Sequence, residues 1–208
     1  MKTMLRFALL VVVLAAGTAS AAGDPAAGKA LYGTCIACHG PAGQGNKALN
    51  APKIAGLDDW YLMRQLQNYK KGIRGTHPED TYGKQMAPMA MTLGDDTAIA
   101  NVAAYIGTFP DKPAEATVEG DAARGEGLYK TCIACHGQKG EGNKTLNAPR
   151  LAGMSDWYAV TQLKNFKAGI RGSHADDTYG KQMAPMAMTL ADDQAIADVV
   201  AYINTLAK

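Results

Sequence analysis

The chain repeats itself without a gap at a constant offset of 97 residues. Roughly two-thirds of the positions in residues 23–111 are identical to their counterparts in residues 120–208. Each copy is just under 100 residues long, which is near the lower range of domains that fold independently. The pattern is a tandem duplication rather than a solenoid array, so it predicts two similar domains.

Each copy contains the pentapeptide Cys-Ile-Ala-Cys-His, at residues 35–39 and at residues 132–136. Two cysteines three positions apart lie on one face of a helical turn, where each can form a thioether to a haem vinyl group. The next histidine can then turn its imidazole onto the iron. A thioredoxin-like pair, a zinc site or a local disulfide would leave that histidine without a role. The motif therefore predicts two covalently bound haem c groups, held by Cys35, Cys38, Cys132 and Cys135, with His39 and His136 on the iron.

The N-terminal segment has the pattern of an export signal. Lys2 and Arg6 precede an apolar run over residues 7–16, and Ala19-Ser20-Ala21 is a small-residue cleavage pattern. The apolar run is too short to span a bilayer, so the pattern favours a cleaved signal over residues 1–21 rather than a retained anchor. The predicted location is the periplasm, with membrane association as the alternative.

The charge balance excludes one class of partner. The 21 basic and 19 acidic residues become equal in number once Lys2 and Arg6 leave with the signal. No basic block follows in the mature chain. The composition therefore predicts no nucleic-acid partner.

The hydrophobic pattern within each copy is helical, and nothing alternates with a period of two. Helices are predicted to start near Asp24, near Asp58 or Asp59, and at Asp95-Asp96. The segments between Gly40 and Leu57 and between Gly72 and Leu93 are predicted to be long loops around a haem. The resulting boundaries are 22–109 for the first domain, 110–119 for a linker and 120–208 for the second domain.

The residues alone do not decide which side chain is the second axial ligand of each iron. His77 and His174 occupy equivalent positions and would give bis-histidine haems. The segment Lys-Gln-Met-Ala-Pro-Met-Ala-Met, repeated from Lys84 and from Lys181, offers three methionines in each copy instead. A thioether sulfur favours ferrous iron and raises the potential, but methionine also commonly fills gaps in a core.

Taken together, the motif, the Asn-Ala-Pro segment after it and the Met-x-x-Met segment before the last helix resemble the two-haem cytochrome c4 family. The resemblance implies an all-α fold of two tandem class I cytochrome c domains, each with a few helices around one haem, related by a pseudo-twofold axis. It implies Met86 and Met183 as the axial ligands. It also implies that the carbonyls of Pro52 and Pro149 orient the ligating imidazoles.

The residues that receive the haem propionates are a separate expectation. Donors that suit a carboxylate are arginine, tyrosine and tryptophan side chains. The candidates are Arg74, Arg171, Tyr82, Tyr179, Trp60 and Trp157.

Two axial ligands on each iron leave no open position, which predicts an electron carrier and not an enzyme. The expected partners are redox proteins: a terminal oxidase, a cytochrome bc1 complex or a periplasmic dehydrogenase, with docking at a membrane complex. The alternative is a component of a two-haem oxidoreductase of the peroxidase or thiosulfate-oxidising type. That alternative needs an open or exchangeable iron position and two specialised sites, and the near-identity of the halves argues against it.

Overall fold

The computed structural model describes residues 23–207, so the predicted signal segment lies outside the described residues. Within 23–207 the regular structure is helical, and the only β-type pairings are two isolated bridges, Asn46 with Ala51 and Asn143 with Ala148. The first half contains α1 (Pro25–Leu31), α2 (Ile36–His39), α3 (Asp59–Lys70), α4 (Thr81–Met91) and α5 (Asp96–Ile106). The second half contains α6 (Ala122–Tyr129), α7 (Ile133–His136), α8 (Asp156–Lys167), α9 (Thr178–Met188) and α10 (Asp193–Thr205).

The predicted helix starts are confirmed, and those at Asp24 and Asp95 have side-chain caps. The side chain of Asp24 accepts a hydrogen bond from the Ala26 N–H at 2.8 Å, which satisfies one of the free donors of α1. The side chain of Asp95 does the same for the Ala98 N–H at 2.8 Å in α5. A short 3₁₀ turn over Tyr32–Thr34 connects α1 to the haem motif in α2.

The prediction of a long loop between Gly72 and Leu93 is wrong, because α4 lies inside it. The glycine and proline content suggested a loop, but Asp80 caps the helix by accepting from the Gly83 N–H at 2.9 Å. Pro88 lies within α4 and removes one main-chain donor without ending the helix. The same correction applies to α9, which is capped by Asp177.

The first and last helices of each domain cross closely at a glycine. A side chain on Gly28 would collide with the main-chain oxygen of Asn101 in α5, and one on Gly125 would collide with that of Asp198 in α10. Only glycine permits this approach. Aromatic rings pack beside both crossings, with centroid separations of 5.6 Å for Tyr32 and Tyr105 and 5.4 Å for Tyr129 and Tyr202.

Each domain has its own small core beside a large cavity. The core side chains come from the last helix, from α3 or α8, from a tyrosine at the C-terminal end of the first helix, and from a leucine two residues after α4 or α9. The buried apolar residues are Tyr32, Leu62, Leu93, Ile99, Val102, Ala103 and Ile106 in the first domain. In the second domain they are Tyr129, Ala159, Leu190, Ala195, Ile196, Val199, Val200 and Ile203.

Candidate haem-binding sites

Each domain surrounds a cavity, of about 1,470 Å³ in the first domain and about 1,360 Å³ in the second, including space open to solvent. Close packing would fill such a recess with side chains, so each cavity fits a large bound group. The sequence-predicted residues meet there. The first cavity is lined in part by Cys35, Cys38, His39, Pro52 and Met86, and the second by Cys132, Cys135, His136, Pro149 and Met183.

The two motif histidines are buried and oriented by a main-chain oxygen. Nδ1 of His39 lies 2.8 Å from the carbonyl oxygen of Pro52, and Nδ1 of His136 lies 2.8 Å from that of Pro149. Donation from Nδ1 to the carbonyl leaves Nε2 with the lone pair that an iron ligand needs. Burial lowers the pKa of His39 and of His136, although the carbonyl partly opposes the effect. Both groups therefore favour the neutral imidazole.

The motif cysteines fit covalent attachment. Helices α2 and α7 are single turns, and both cysteines of each motif line the cavity of their own domain. Within 23–207 all four are unpaired. Burial raises the pKa of Cys35 and Cys132, so neither has the low-pKa thiolate of a redox-active pair.

The methionines of each copy separate into two groups. Met86 and Met89 of α4 line the first cavity, and Met183 and Met186 of α9 line the second. Met91 and Met188 are each 65% exposed and are not among the residues that line a cavity. The structure therefore brings two thioethers per domain to the site.

The alternative histidine ligands are not brought to the site. Nδ1 of His77 accepts from the Glu79 N–H at 3.2 Å, and Nδ1 of His174 accepts from the Asp176 N–H at 3.1 Å. Neither histidine lines a cavity.

A symmetric set of hydrogen bonds joins the two domains between the cavities. Arg74 donates to Gln65 of its own domain, to Tyr158 at 2.8 Å and to Gln162 at 2.9 Å. Arg171 makes the matching bonds, to Gln162 of its own domain and to Gln65 and Tyr61 of the first domain. We call these six residues the interdomain network: Tyr61, Gln65, Arg74, Tyr158, Gln162 and Arg171.

The interdomain network is electropositive and fits an anionic group. In the described part of the chain, neither Arg74 nor Arg171 has a carboxylate within ion-pair distance. The Nε of Arg74 is buried without a partner. Burial tends to raise the pKa of Tyr61, but the nearby arginines outweigh it and hold that pKa below its usual value. Carboxylates such as haem propionates would compensate this charge.

The sequence predicts a role for the two arginines but not for their partners. Tyr61 and Gln65 are four positions apart on α3, and Tyr158 and Gln162 are four apart on α8. A polar pair repeated on one face of both helices is the signal that could have found them. Tyr82 and Tyr179 line the cavities but are 43% and 39% exposed, so they lie at the cavity rims. Trp157 lines the first cavity from the opposite domain.

Two haem-attachment sites on two tandem helical domains define a dihaem c-type cytochrome. The family model for cytochrome c matches residues 25–110 and again residues 122–207. The chain is 33% identical to cytochrome c4 from Azotobacter vinelandii, over 95% of this chain and 96% of that one. It is 34% identical to the thiosulfate dehydrogenase electron acceptor of Thiomonas intermedia, over 95% of this chain and 91% of the relative.

A solved structure agrees with these matches. The reduced recombinant cytochrome c4 from Pseudomonas stutzeri superposes with a TM-score of 0.68 at 29% identity, covering 88% of this chain and 98% of that one. The chain therefore belongs to the cytochrome c family, as a two-domain member of the cytochrome c4 type. The predicted all-α tandem fold and the two covalent haem c groups are confirmed, as is the electron-carrier class in place of an enzyme.

Proposed function

We propose that the protein is a periplasmic carrier that accepts electrons from a cytochrome bc1 complex or a periplasmic dehydrogenase and delivers them to a terminal oxidase. The observation that supports it is the closed set of side chains in each cavity. A buried histidine and a cavity-facing methionine are both available to one iron in each domain. Such a site leaves substrate no place to coordinate, while electrons can still enter and leave.

The roles of the residues follow from their positions. Cys35, Cys38, Cys132 and Cys135 would attach the two haem groups, and His39 and His136 would each supply an imidazole to an iron. Met86 and Met183 would supply the thioethers, a choice over Met89 and Met186 that rests on the family resemblance. When bound, the haem c groups supply one-electron redox chemistry at a potential that the thioether ligand raises. Pro52 and Pro149 hold the imidazoles in one orientation.

The interdomain network connects the two cavities. Arg74 lines the first cavity and Arg171 the second, and each also bonds across the interface. We assign the propionate groups to these arginines, because Arg74 is buried, Arg171 is half-buried, and neither has a carboxylate partner within residues 23–207. Tyr82 and Tyr179 at the rims are weaker candidates for the same role.

The location rests on the sequence. The predicted signal over residues 1–21 directs export to the periplasm, where haem c attachment takes place. In residues 23–207 no helix is long and apolar enough to cross a membrane. Docking at a membrane complex would bring the carrier to its oxidase.

A second candidate function is favoured by one similarity. The relative from Thiomonas intermedia is named as an electron acceptor of thiosulfate dehydrogenase. This chain would then be a partner of a thiosulfate-oxidising enzyme, which makes such a dehydrogenase one of the proposed donors. Stopped-flow reduction by a purified thiosulfate dehydrogenase would separate this donor from the cytochrome bc1 complex.

Methionine ligation is tested with the weak red absorption band of ferric haem bound to a thioether sulfur. Met86→Ala is expected to remove about half of that band, because each domain supplies one ligand pair. Met91→Ala is the matched control on the same helix, and it is expected to leave the band intact because Met91 is exposed. An intact band in Met86→Ala together with its loss in Met89→Ala would move the ligand to Met89.

The closed-site proposal has an independent test. Carbon monoxide added to the reduced protein is expected to leave the Soret band unchanged, because both iron positions are filled. Rapid binding at either haem would refute a pure carrier and favour an oxidoreductase component with an exchangeable position.

A further inference from the structure

Position 64 of the first domain breaks the symmetry of the interface. Arg64 lies on α3 and lines the cavity of the second domain. Its counterpart Thr161 lies on α8 and lines the cavity of the first domain. The hydroxyl of Thr161 donates to the main-chain oxygen of Trp157 at 2.9 Å, within its own helix. A cation thus faces one cavity at a place where a neutral hydroxyl faces the other.

Several contacts hold the Arg64 guanidinium at the second cavity. It donates to the side-chain oxygen of Asn147 and, at 3.4 Å, to the main-chain oxygen of the same residue. Its central carbon lies 4.1 Å from the centre of the Tyr179 ring and 5.0 Å from that of Trp60. Asn147 and Tyr179 both line the second cavity. The guanidinium is therefore fixed across the interface rather than mobile in solvent.

The other charged residues at the two cavities either have the same charge at the equivalent position or are paired with an opposite charge. Arg74 and Asp80 line the first cavity, and their counterparts Arg171 and Asp177 line the second. The first cavity also has Lys53, but its ammonium pairs with Asp111 at 2.9 Å and donates to the Ala55 carbonyl at 2.7 Å. No carboxylate in residues 23–207 pairs with Arg64 at ion-pair distance. Arg64 therefore adds to the second site a positive charge that has no counterpart at position 161 beside the first site.

We propose that Arg64 acts across the domain interface to raise the reduction potential of the second domain's haem, and so makes two otherwise matched sites unequal. This inference rests on the proposed haem sites and deepens them. A fixed positive charge stabilises the reduced state, which has one positive charge fewer than the oxidised state. Arg64 is half-buried and held beside the second cavity by Asn147 and Tyr179, so solvent screens its charge less than that of a free surface cation. Thr161 gives the first site no such bias.

The experiment exchanges the two side chains in the full-length holoprotein. Arg64→Thr is expected to lower the potential of the second domain's transition, with a fall of roughly threefold to tenfold in its equilibrium constant for reduction. Thr161→Arg is expected to raise the potential of the first domain's transition by a similar factor. Arg64→Lys keeps the charge and is expected to retain most of the native value, which a purely structural role of the planar guanidinium would not predict.

The transitions are assigned with Met86→His, which is expected to lower the first domain's potential because imidazole replaces a thioether. Movement of the first domain's transition in Arg64→Thr, or no movement of either transition, would overturn the inference. Haem content and the red band are measured in every variant. If the Arg64 variants keep two haems and the full red band but their potentials do not move, only the proposed role of Arg64 is refuted. If the native protein lacks two haems or lacks the band, the proposed haem sites themselves are refuted.

Discussion

The first and last helices cross in the same way in each domain, but different side chains support the two crossings. In the first domain the side-chain oxygen of Asn101 accepts from the Asp24 N–H at 2.7 Å. In the second domain the equivalent residue is Asp198, which is fully buried and accepts from the Asp121 N–H at 2.8 Å. Asp198 also pairs with Arg124, whose counterpart in the first domain is Ala27. The equivalent main-chain N–H thus donates to an amide oxygen in the first domain and, in the second, to a carboxylate that is paired with an arginine.

The differences between the domains avoid the residues that hold the haem. The pentapeptide, the proline carbonyl and the methionine helix are the same in both copies. The substitutions fall on other residues, such as Asn101 and Asp198 at the crossing or Arg64 and Thr161 at the interface. The predicted ligands are therefore common to both sites, while the residues around them differ in charge and hydrogen bonding.

The largest expected loss of unfolding free energy comes from filling the helix crossing, and it should be the same in both domains. Gly28→Ala and Gly125→Ala each place a methyl group against a main-chain oxygen, so each is expected to cost about 3 kcal/mol of unfolding free energy. Denaturant unfolding of the holoprotein, followed by far-ultraviolet circular dichroism, measures the loss. Gly127→Ala is the matched control, because nothing lies within 4 Å of a side chain there. A cost in one domain alone would break the equivalence of the two crossings.

A smaller effect should appear in one domain only. Asn101→Asp places a carboxylate at the first crossing, where position 27 is alanine and offers no cation. We expect it to destabilise the first domain by about 1–3 kcal/mol, measured by the same unfolding experiment. The double variant Asn101→Asp with Ala27→Arg recreates the second domain's pair and is expected to recover part of the loss. Failure of the second substitution to help would show that the pair in the second domain is not the compensating interaction.

Acid should destabilise the second domain more than the first. Burial tends to raise the pKa of Asp198, but the Asp121 N–H, Gln194 and Arg124 outweigh it and hold that pKa below its ordinary value. A lowered folded-state pKa means that the carboxylate adds stability above the unfolded-state value of about 3.9, and that this is lost as the pH falls toward the folded-state value. Hydrogen exchange should show α6 and α10 opening before α1 and α5 below that pH.

Asp198→Asn is the control for the acid experiment. It gives the second crossing the chemistry of the first and is expected to remove the extra acid sensitivity of α6 and α10. If the second domain of this variant still opens first on acidification, the sensitivity arises elsewhere. Asp156 is the alternative source, because main-chain donors and Thr117 hold its pKa low as well.

The parts of the fold that the sequence predicts are those with a local cause. Asp24 and Asp95 begin their helices because a carboxylate can accept from the free donors of the first turn, and the motif histidine follows from its spacing. The helix around Met86 was missed because Pro88 and the glycines suggested a loop, whereas the cap at Asp80 and the packing of the site decide the conformation. The bond from Arg74 to Gln162 joins residues 88 positions apart. No local pattern reveals such a contact, and the choice of Met86 over its neighbours came from the resemblance.

The smallest expected difference in unfolding free energy concerns the two ion pairs of Asp111, a residue of the predicted linker. Asp111 pairs with Lys53 of the first domain at 2.9 Å and with Arg150 of the second at 2.5 Å, and these cations hold the pKa of Asp111 low against its partial burial. Lys53 is 6% exposed and Arg150 is 33% exposed. Lys53→Ala should therefore cost about 1–2 kcal/mol of unfolding free energy, since it also removes a buried aliphatic stem.

Arg150→Ala should cost less than about 1 kcal/mol, because solvent screens the more exposed pair. Urea unfolding at low and high salt separates the two contributions: the Arg150 effect should fade as salt is added, and most of the Lys53 effect should persist. Equal losses that both disappear in salt would mean that burial does not distinguish the two ends of the linker. A persistent Lys53 effect would instead show that the linker is anchored on the first domain by packing and on the second by charge.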